Sequence, residues 1–156
     1  MVRQVQQILE RKGYSEDYKT GLKGIKNEHH KMVKVKDNHA IDGSMDIDNA
    51  CKKSNPNDPL WDYLICVKKD HSENLAMIEI HGATGKEVES LIRKKKWVVQ
   101  WLEKTDLIKF PKAFIWVASG KCAITANSRY PKILAKNGIS MPMRETKLLD
   151  IDVDYK

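Results

Sequence analysis

Asp62, Glu79 and His81 are the residues of this chain whose types and spacing could do chemistry together. Two carboxylates set close on one surface can hold a hard divalent cation such as Mg²⁺ or Mn²⁺ through their oxygen atoms. A cation so held polarises a phosphoryl group and activates water. His81, whose imidazole ordinarily titrates near ~6.5 and is largely neutral at pH 7, could ligate the same metal or assist the reaction. The plainer reading of the same carboxylates is that Asp62 caps a turn after Pro59 and Glu79 pairs with a surface lysine on a solvated sheet face.

A β-hairpin has to position these residues. Leu60 to Val67 and Asn74 to His81 are strand-like runs separated by the polar Asp70-His71-Ser72-Glu73. With the turn centred between His71 and Ser72, paired residue numbers sum to about 143, which sets Asp62 opposite His81 and Leu64 opposite Glu79. Asp62, Glu79 and His81 then share one face, with Asp62 and Glu79 as diagonal neighbours ~7–8 Å apart at Cα. Thr84-Gly85-Lys86-Glu87 has the form of a capping box, and Val88, Leu91, Ile92, Val98, Val99 and Leu102 make the apolar stripe of a helix running to about Lys104. Beyond it come a strand over Ala113 to Ala118, a helix over Ser128 to Asn137 stopped by Gly138, and a last strand over Lys147 to Val153. The long helix should therefore link two parallel strands, and in such sheets ligands collect beyond the strands' carboxyl ends, here near His81 and Ser119-Gly120-Lys121. Trp97 and Trp101, one turn apart on the same helix, read first as core packed on an N-terminal helix. A homodimer contact and a stacking platform for an exposed base are the alternatives.

The first 59 residues differ in kind from the rest of the chain. Val2, Val5, Ile8 and Leu9 have helical spacing and Gly13 stands where a left-handed cap is expected. After Tyr14 apolar residues thin out, and six lysines between Lys19 and Lys36 face a single acid, Glu28. This segment reads as weakly packed, with Lys23, Lys26, Lys31 and Lys34 as contacts to nucleic acid, DNA being the expected partner. Acid replaces base at Asp42, Asp46 and Asp48, with Met45 and Ile47 alternating as in a short strand. A His-Asn-His nuclease reading through Glu28-His29-His30, Asn74-Leu75 and His81 needs pieces that stand far apart. Zinc at His29, His30 and His39 lacks the residues that would complete a closed set.

The whole chain has 156 residues, 28 Lys and Arg against 21 Asp and Glu, and a formal charge of +7, which favours a polyanionic partner. Its length suits one domain: a basic N-terminal helix and extension over 1–59, an α/β core over 60–140, and a C-terminal strand or tail over 141–156. The longest unbroken apolar run, Ala113 to Ala118, is far below the ~18–20 residues of a membrane span. Polar residues break up the N-terminus, and the three cysteines Cys51, Cys66 and Cys122 are odd in number and widely spaced. A cytoplasmic protein with reduced thiols and no membrane partner is expected.

An antiparallel hairpin with Asp at the start of one strand and Glu-x-basic on the next, succeeded by a helix and a parallel strand, resembles the core of the PD-(D/E)xK nuclease-like superfamily. Asp58-Pro59-Leu60-Trp61-Asp62 and Glu79-Ile80-His81 occupy its motif positions, and the resemblance spans about Leu60 to Gly138. It implies a restriction-endonuclease-like mixed sheet with a crossover helix and flanking helices. It also implies Mg²⁺-dependent hydrolysis of DNA phosphodiesters, with Asp62 and Glu79 as metal ligands. The chain departs from the pattern at His81, where the superfamily has lysine, so the resemblance implies a lysine from another element: Lys121, just past the parallel strand, or Lys86, in the first turn of the helix, since Lys95 lies mid-helix ~15 Å along the axis from the His81 end and snorkels. A non-catalytic DNA- or protein-binding module of similar fold is the alternative. The wording Trp-Asp-Tyr, Glu-Ile-His-Gly-Ala and Val-Ala-Ser-Gly also resembles an uncharacterised bacterial family.

Overall fold

Asp70 and His71 both take left-handed backbone, with φ of 52° and 61°. Positive φ at both central residues is the signature of the type I′ turn, whose twist matches that of the strands it joins. It closes a two-residue hairpin between β3 (Tyr63–Lys69) and β4 (Ser72–Ala83). The turn is therefore shorter than the four polar residues suggested, and the register moves with it: Leu64 pairs with Met77 and Tyr63 with Ile78. Extended by one residue, this register sets Asp62 across from Glu79 rather than His81. A shift of two residues keeps every side chain on its face, so Asp62, Glu79 and His81 still point the same way.

In this computed structural model residues 3–33, 35–144 and 153–156 are described. A six-stranded mixed sheet runs in chain order, β1 (Tyr18–Thr20), β2 (Ile41–Asp46), β3, β4, β5 (Lys112–Cys122) and β6 (Met143–Arg144). The pairs from β1 to β4 are antiparallel, while β4 with β5 and β5 with β6 are parallel. The expected crossover is α3 (Gly85–Lys104), which joins the parallel pair β4 and β5. The strand expected over Lys147 to Val153 falls on residues outside the described ones, Val153 apart. Ile47, expected to continue a strand, instead opens the short helix α2 (Ile47–Cys51), because Asp46 accepts the Asn49 N–H at 2.9 Å and caps it.

One face of the sheet packs on helices. Val5, Ile8 and Leu9 of α1 (Gln4–Arg11), Val88, Leu91, Val98 and Leu102 of α3, and Leu134 of α4 (Tyr130–Lys136) meet Leu64, Cys66, Leu75, Met77 and Trp116. The apolar stripe of α3 is thus buried as its spacing requires, and truncating Leu91 there should cost ~2–5 kcal/mol. Its start differs from a capping box: the Thr84 side chain makes no cap, and the Glu87 N–H donates to the Thr84 carbonyl at 3.0 Å. The other face carries Tyr63, Ile65, Val67, Ile78, Ile80, Ile115 and Val117, and it is covered by the lysine-rich segment. That segment is not weakly packed. Ile25, Met32, Val33 and Val35 are buried against the sheet while Lys23, Lys26 and Lys31 point outward. Lys34 lies outside the described residues.

Candidate functional site

The chain folds back on itself between β4 and α3, and this brings a lysine to the carboxylates. From Glu79 to the end of β4 at Ala83 is about 13 Å of strand, and from Gly85 to Lys94 about 14 Å of helix running the other way. Lys94 therefore returns level with Glu79, on the inner side of α3 beside Leu91 and Val98. Its Nζ lies 3.0 Å from Glu79 Oε1, 3.3 Å from Oε2 and 3.9 Å from Asp62 Oδ1. Asp62 is held by its other oxygen, which accepts the Ile80 N–H at 2.9 Å just beyond the end of the β3 ladder. This bond replaces the turn-capping role that the plainer reading gave Asp62.

Burial makes the trio unequal. The Glu79 side chain is 0% exposed, whereas those of Asp62 and Lys94 are 20% and 23% exposed. Burial, reinforced by the neighbouring Asp62, pushes the Glu79 carboxyl well above the ordinary carboxylate range, and Lys94 only partly offsets this. Burial alone would lower the Lys94 ammonium, but Glu79 and Asp62 outweigh it and the group is raised. Glu79 Oε1, although close to the ammonium, has no hydrogen bond. The rim is acidic as well: the Asp46 carboxyl is raised by burial and, to a lesser degree, by Asp48 and Asp62.

The remaining expected residues are arranged around this centre rather than in it. His81 is on the same face two residues further along β4. Its Nδ1–H donates to the Gly82 carbonyl at 2.9 Å, with Glu87 3.8 Å away, and its ring lies 5.1 Å from Trp116. That bond leaves Nε2 as the unprotonated nitrogen of the neutral ring, buried and unpartnered. Asp62, Glu79 and His81 do not bring ligand atoms within 4.8 Å of one another, so His81 completes no three-residue metal set with them here. Lys86 is exposed in the first turn of α3. Lys121 stands in β5, with its side chain outside the described part. Of the described lysines in the basic segment, Lys26 reaches the site's margin, its Nζ 3.9 Å from Asp46. His29 and His30 bond Tyr63 Oη and the Ile25 carbonyl at 2.6 and 2.7 Å, which leaves them neither a zinc set nor a His-Asn-His centre.

Sequence reasoning missed Lys94. The strand and helix rises that place it were available, but distances measured from His81 instead of Glu79 bring only Lys95, Lys86 and Lys121 into view. Lys95 in fact turns away, donating to the Asn137 carbonyl at the end of α4 and lying over the Phe114 ring.

Among the described residues, a second cluster does meet metal-ligand spacing: Asp42, Cys66 and Glu73, all buried. Its donors are already occupied. Asp42 accepts from Arg3 Nε at 2.8 Å and Tyr18 Oη at 2.8 Å, and Glu73 accepts the Gln4 and Val5 N–H groups that open α1 at 3.0 and 3.3 Å. Burial pushes the Cys66 thiol far up, away from the thiolate a metal needs. This cluster anchors α1 to the sheet and does not fit a cation. Comparison of the chain with protein-family models, curated proteins and solved structures finds no match.

Proposed function

We propose that the protein binds nucleic acid and hydrolyses its phosphodiester backbone, DNA being the expected substrate, in a restriction-endonuclease-like fold with Mg²⁺ or Mn²⁺ as cofactor. The observation that carries this reading is the Asp62–Glu79–Lys94 trio, with Glu79 fully buried and one of its oxygens without a hydrogen bond. A buried carboxylate that is incompletely satisfied is costly to keep, and such cost is concentrated where chemistry needs it. The donor set fits a hard cation: two carboxylates, face to face across a hairpin, each with an oxygen free of backbone bonds. Asp62 and Glu79 would hold that cation, and it would supply Lewis-acid polarisation of a phosphoryl oxygen. Lys94 supplies the fixed positive charge that His81 does not. It balances the carboxylates and stands ready to stabilise negative charge developing on a phosphate. Exposed Lys23, Lys26 and Lys31, with Lys86, supply attraction for the polyanion, and Lys26 adjoins the acidic rim.

Incubation of the purified protein with single- and double-stranded DNA and RNA, in Mg²⁺, Mn²⁺ or EDTA, tests the reading. Metal-dependent cleavage of DNA, abolished in Asp62→Ala, Glu79→Ala and Lys94→Met while DNA affinity persists, is the expected result. No cleavage of any of these by wild type, together with Mn²⁺ affinity unaltered in Asp62→Ala, would overturn it in favour of a non-catalytic binding module.

A further inference from the structure

One face of the molecule carries an aromatic cavity that the carboxylate site does not use. The 290 Å³ space lies between the end of α1, the loop before Pro59 and the last turns of α3. Trp97 and Trp101 line it as near-parallel rings, 14° apart with centroids separated by 6.5 Å, and Tyr14 stands edge-on to Trp101 at 5.7 Å. Both indole N–H groups are bonded within the protein, Trp97 to Asp58 at 3.1 Å and Trp101 to Tyr14 Oη at 3.1 Å. The rings are thereby fixed, and what they offer a ligand is their apolar surface. Trp101 is core, as its spacing suggested; Trp97 is only half-buried. Lys12 and Lys104 are at the rim with Asp58, and Lys12 is paired with Asp106 at 3.5 Å, so Lys104 is the lining cation set to meet a backbone phosphate.

We propose that this cavity takes an unstacked nucleobase of single-stranded nucleic acid. Every base has a π-face, and stacking on fixed aromatic side chains beside lysines that meet the backbone is how single strands are held without sequence preference. The volume, at the lower end for a ligand pocket, admits one base and excludes a duplex. A cationic ligand of the quaternary ammonium kind also favours aromatic walls, and tetramethylammonium is therefore the competing probe in the test below. Trp97 and Trp101 are about 5 and 10 Å along α3 from Lys94, within one or two nucleotides of an extended strand. The inference that a base seated here guides its own strand to the carboxylates rests on the hydrolytic reading above; the base pocket itself does not.

Anisotropy of a fluorescein-labelled ten-nucleotide oligothymidylate measures the binding, in EDTA to keep it apart from cleavage. Trp97→Ala should weaken it about fivefold or more, the low end of what one stacked base contributes, and leave affinity for a duplex of equal length unchanged. Metal-dependent cleavage of the same oligonucleotide by wild type is read separately, so that a failed active site and a failed pocket give different results. Trp97→Phe keeps a ring and the fold, and should retain most of the affinity while losing much of the tryptophan quenching that the oligonucleotide produces in wild type. Wild-type affinity in folded Trp97→Ala, no quenching in wild type, equal loss for duplex and single strand, or quenching by tetramethylammonium and not by oligothymidylate would each overturn the proposal.

Discussion

Glu73 and Glu79 are on the same strand and the same face, six residues and about 20 Å apart, yet their surroundings differ in kind. Glu73 receives two N–H groups from the start of α1 and the Cys66 thiol, and the neighbouring Asp42 is filled by Arg3 and Tyr18. Glu79 is more deeply buried and receives no backbone N–H; it meets the Lys94 ammonium and the Asp62 carboxyl, and its Oε1 is outside hydrogen-bond geometry. A carboxylate whose bonds are complete belongs to the fold. One held at a cost without complete bonds is available to something that arrives. By this measure the cluster with metal-ligand spacing is the structural one, and the pair with a lysine between its oxygens is the candidate site.

The sharpest way to break this comparison is to neutralise each glutamate in turn. Glu79→Gln should lower metal-dependent DNA cleavage by at least ~100-fold, because the cation that stabilises developing charge loses a ligand, and leave the melting temperature unchanged or higher, because a carboxyl whose charge burial disfavours is replaced by a neutral isostere. Glu73→Gln should retain cleavage but lose about 1.5–3 kcal/mol of stability, because a charged acceptor for helix N–H groups is gone. Urea melts and a cleavage assay on the same two proteins decide it. Equal loss of stability in both variants, or equal loss of cleavage, would remove the distinction.

A smaller effect sharpens the same contrast through pH. The native Glu79 keeps its proton at pH values where the unfolded chain, with an ordinary carboxyl near ~4.3, has lost it. The native state therefore binds more protons than the unfolded state above that pH. Stability from this residue is complete below ~4.3 and falls as pH rises towards the raised native value. Metal-free wild type should show this decline in urea midpoints, and Glu79→Gln should flatten it. A decline of the same size in Glu79→Gln would assign it to other groups.

Much of this arrangement is legible in the sequence because period-two alternation survives an error of two residues. The polar run predicts a turn two residues too long, since Ser72 and Glu73 are as polar as Asp70 and His71, but the face shared by Asp62, Glu79 and His81 is unaffected. The Val88–Leu91–Val98–Leu102 stripe and the parallel neighbour of β4 are likewise local patterns that packing did not override. The features that sequence reading failed to find depend on contacts distant in the chain. Lys94 looks like one of a Lys94-Lys95-Lys96 run on a solvated helix until the length of β4 beyond Glu79 is matched to the helix that returns beside it. Ile25, Met32, Val33 and Val35 are too sparse and irregular for any periodicity, yet with Met143, Val153 and Tyr155 they pack on one sheet face, because short 3-10 turns such as Asn27–Met32 bury side chains without a regular repeat.

The smallest effect concerns the lysines that stand outside this covering segment. Each phosphate that a lysine neutralises releases condensed counterions, so log affinity for duplex DNA falls with log salt by about 0.9 per contact. Lys23 and Lys31 are exposed and should each lower that slope by about this amount when changed to glutamine. Lys26 has its ammonium 3.9 Å from Asp46, an acid whose own charge is disfavoured by burial, so part of its field is already directed inward. Lys26→Gln should therefore flatten the slope less than Lys23→Gln does, and it should also strip a counter-charge from the acidic rim, so that phosphate approaches the Asp62–Glu79 pair less readily. Filter binding of one duplex from low to moderate salt distinguishes the three variants. Identical slopes for wild type and all three would take the basic segment out of the nucleic-acid contact altogether, leaving Lys86 and the rim of the aromatic cavity as the charges that meet the backbone.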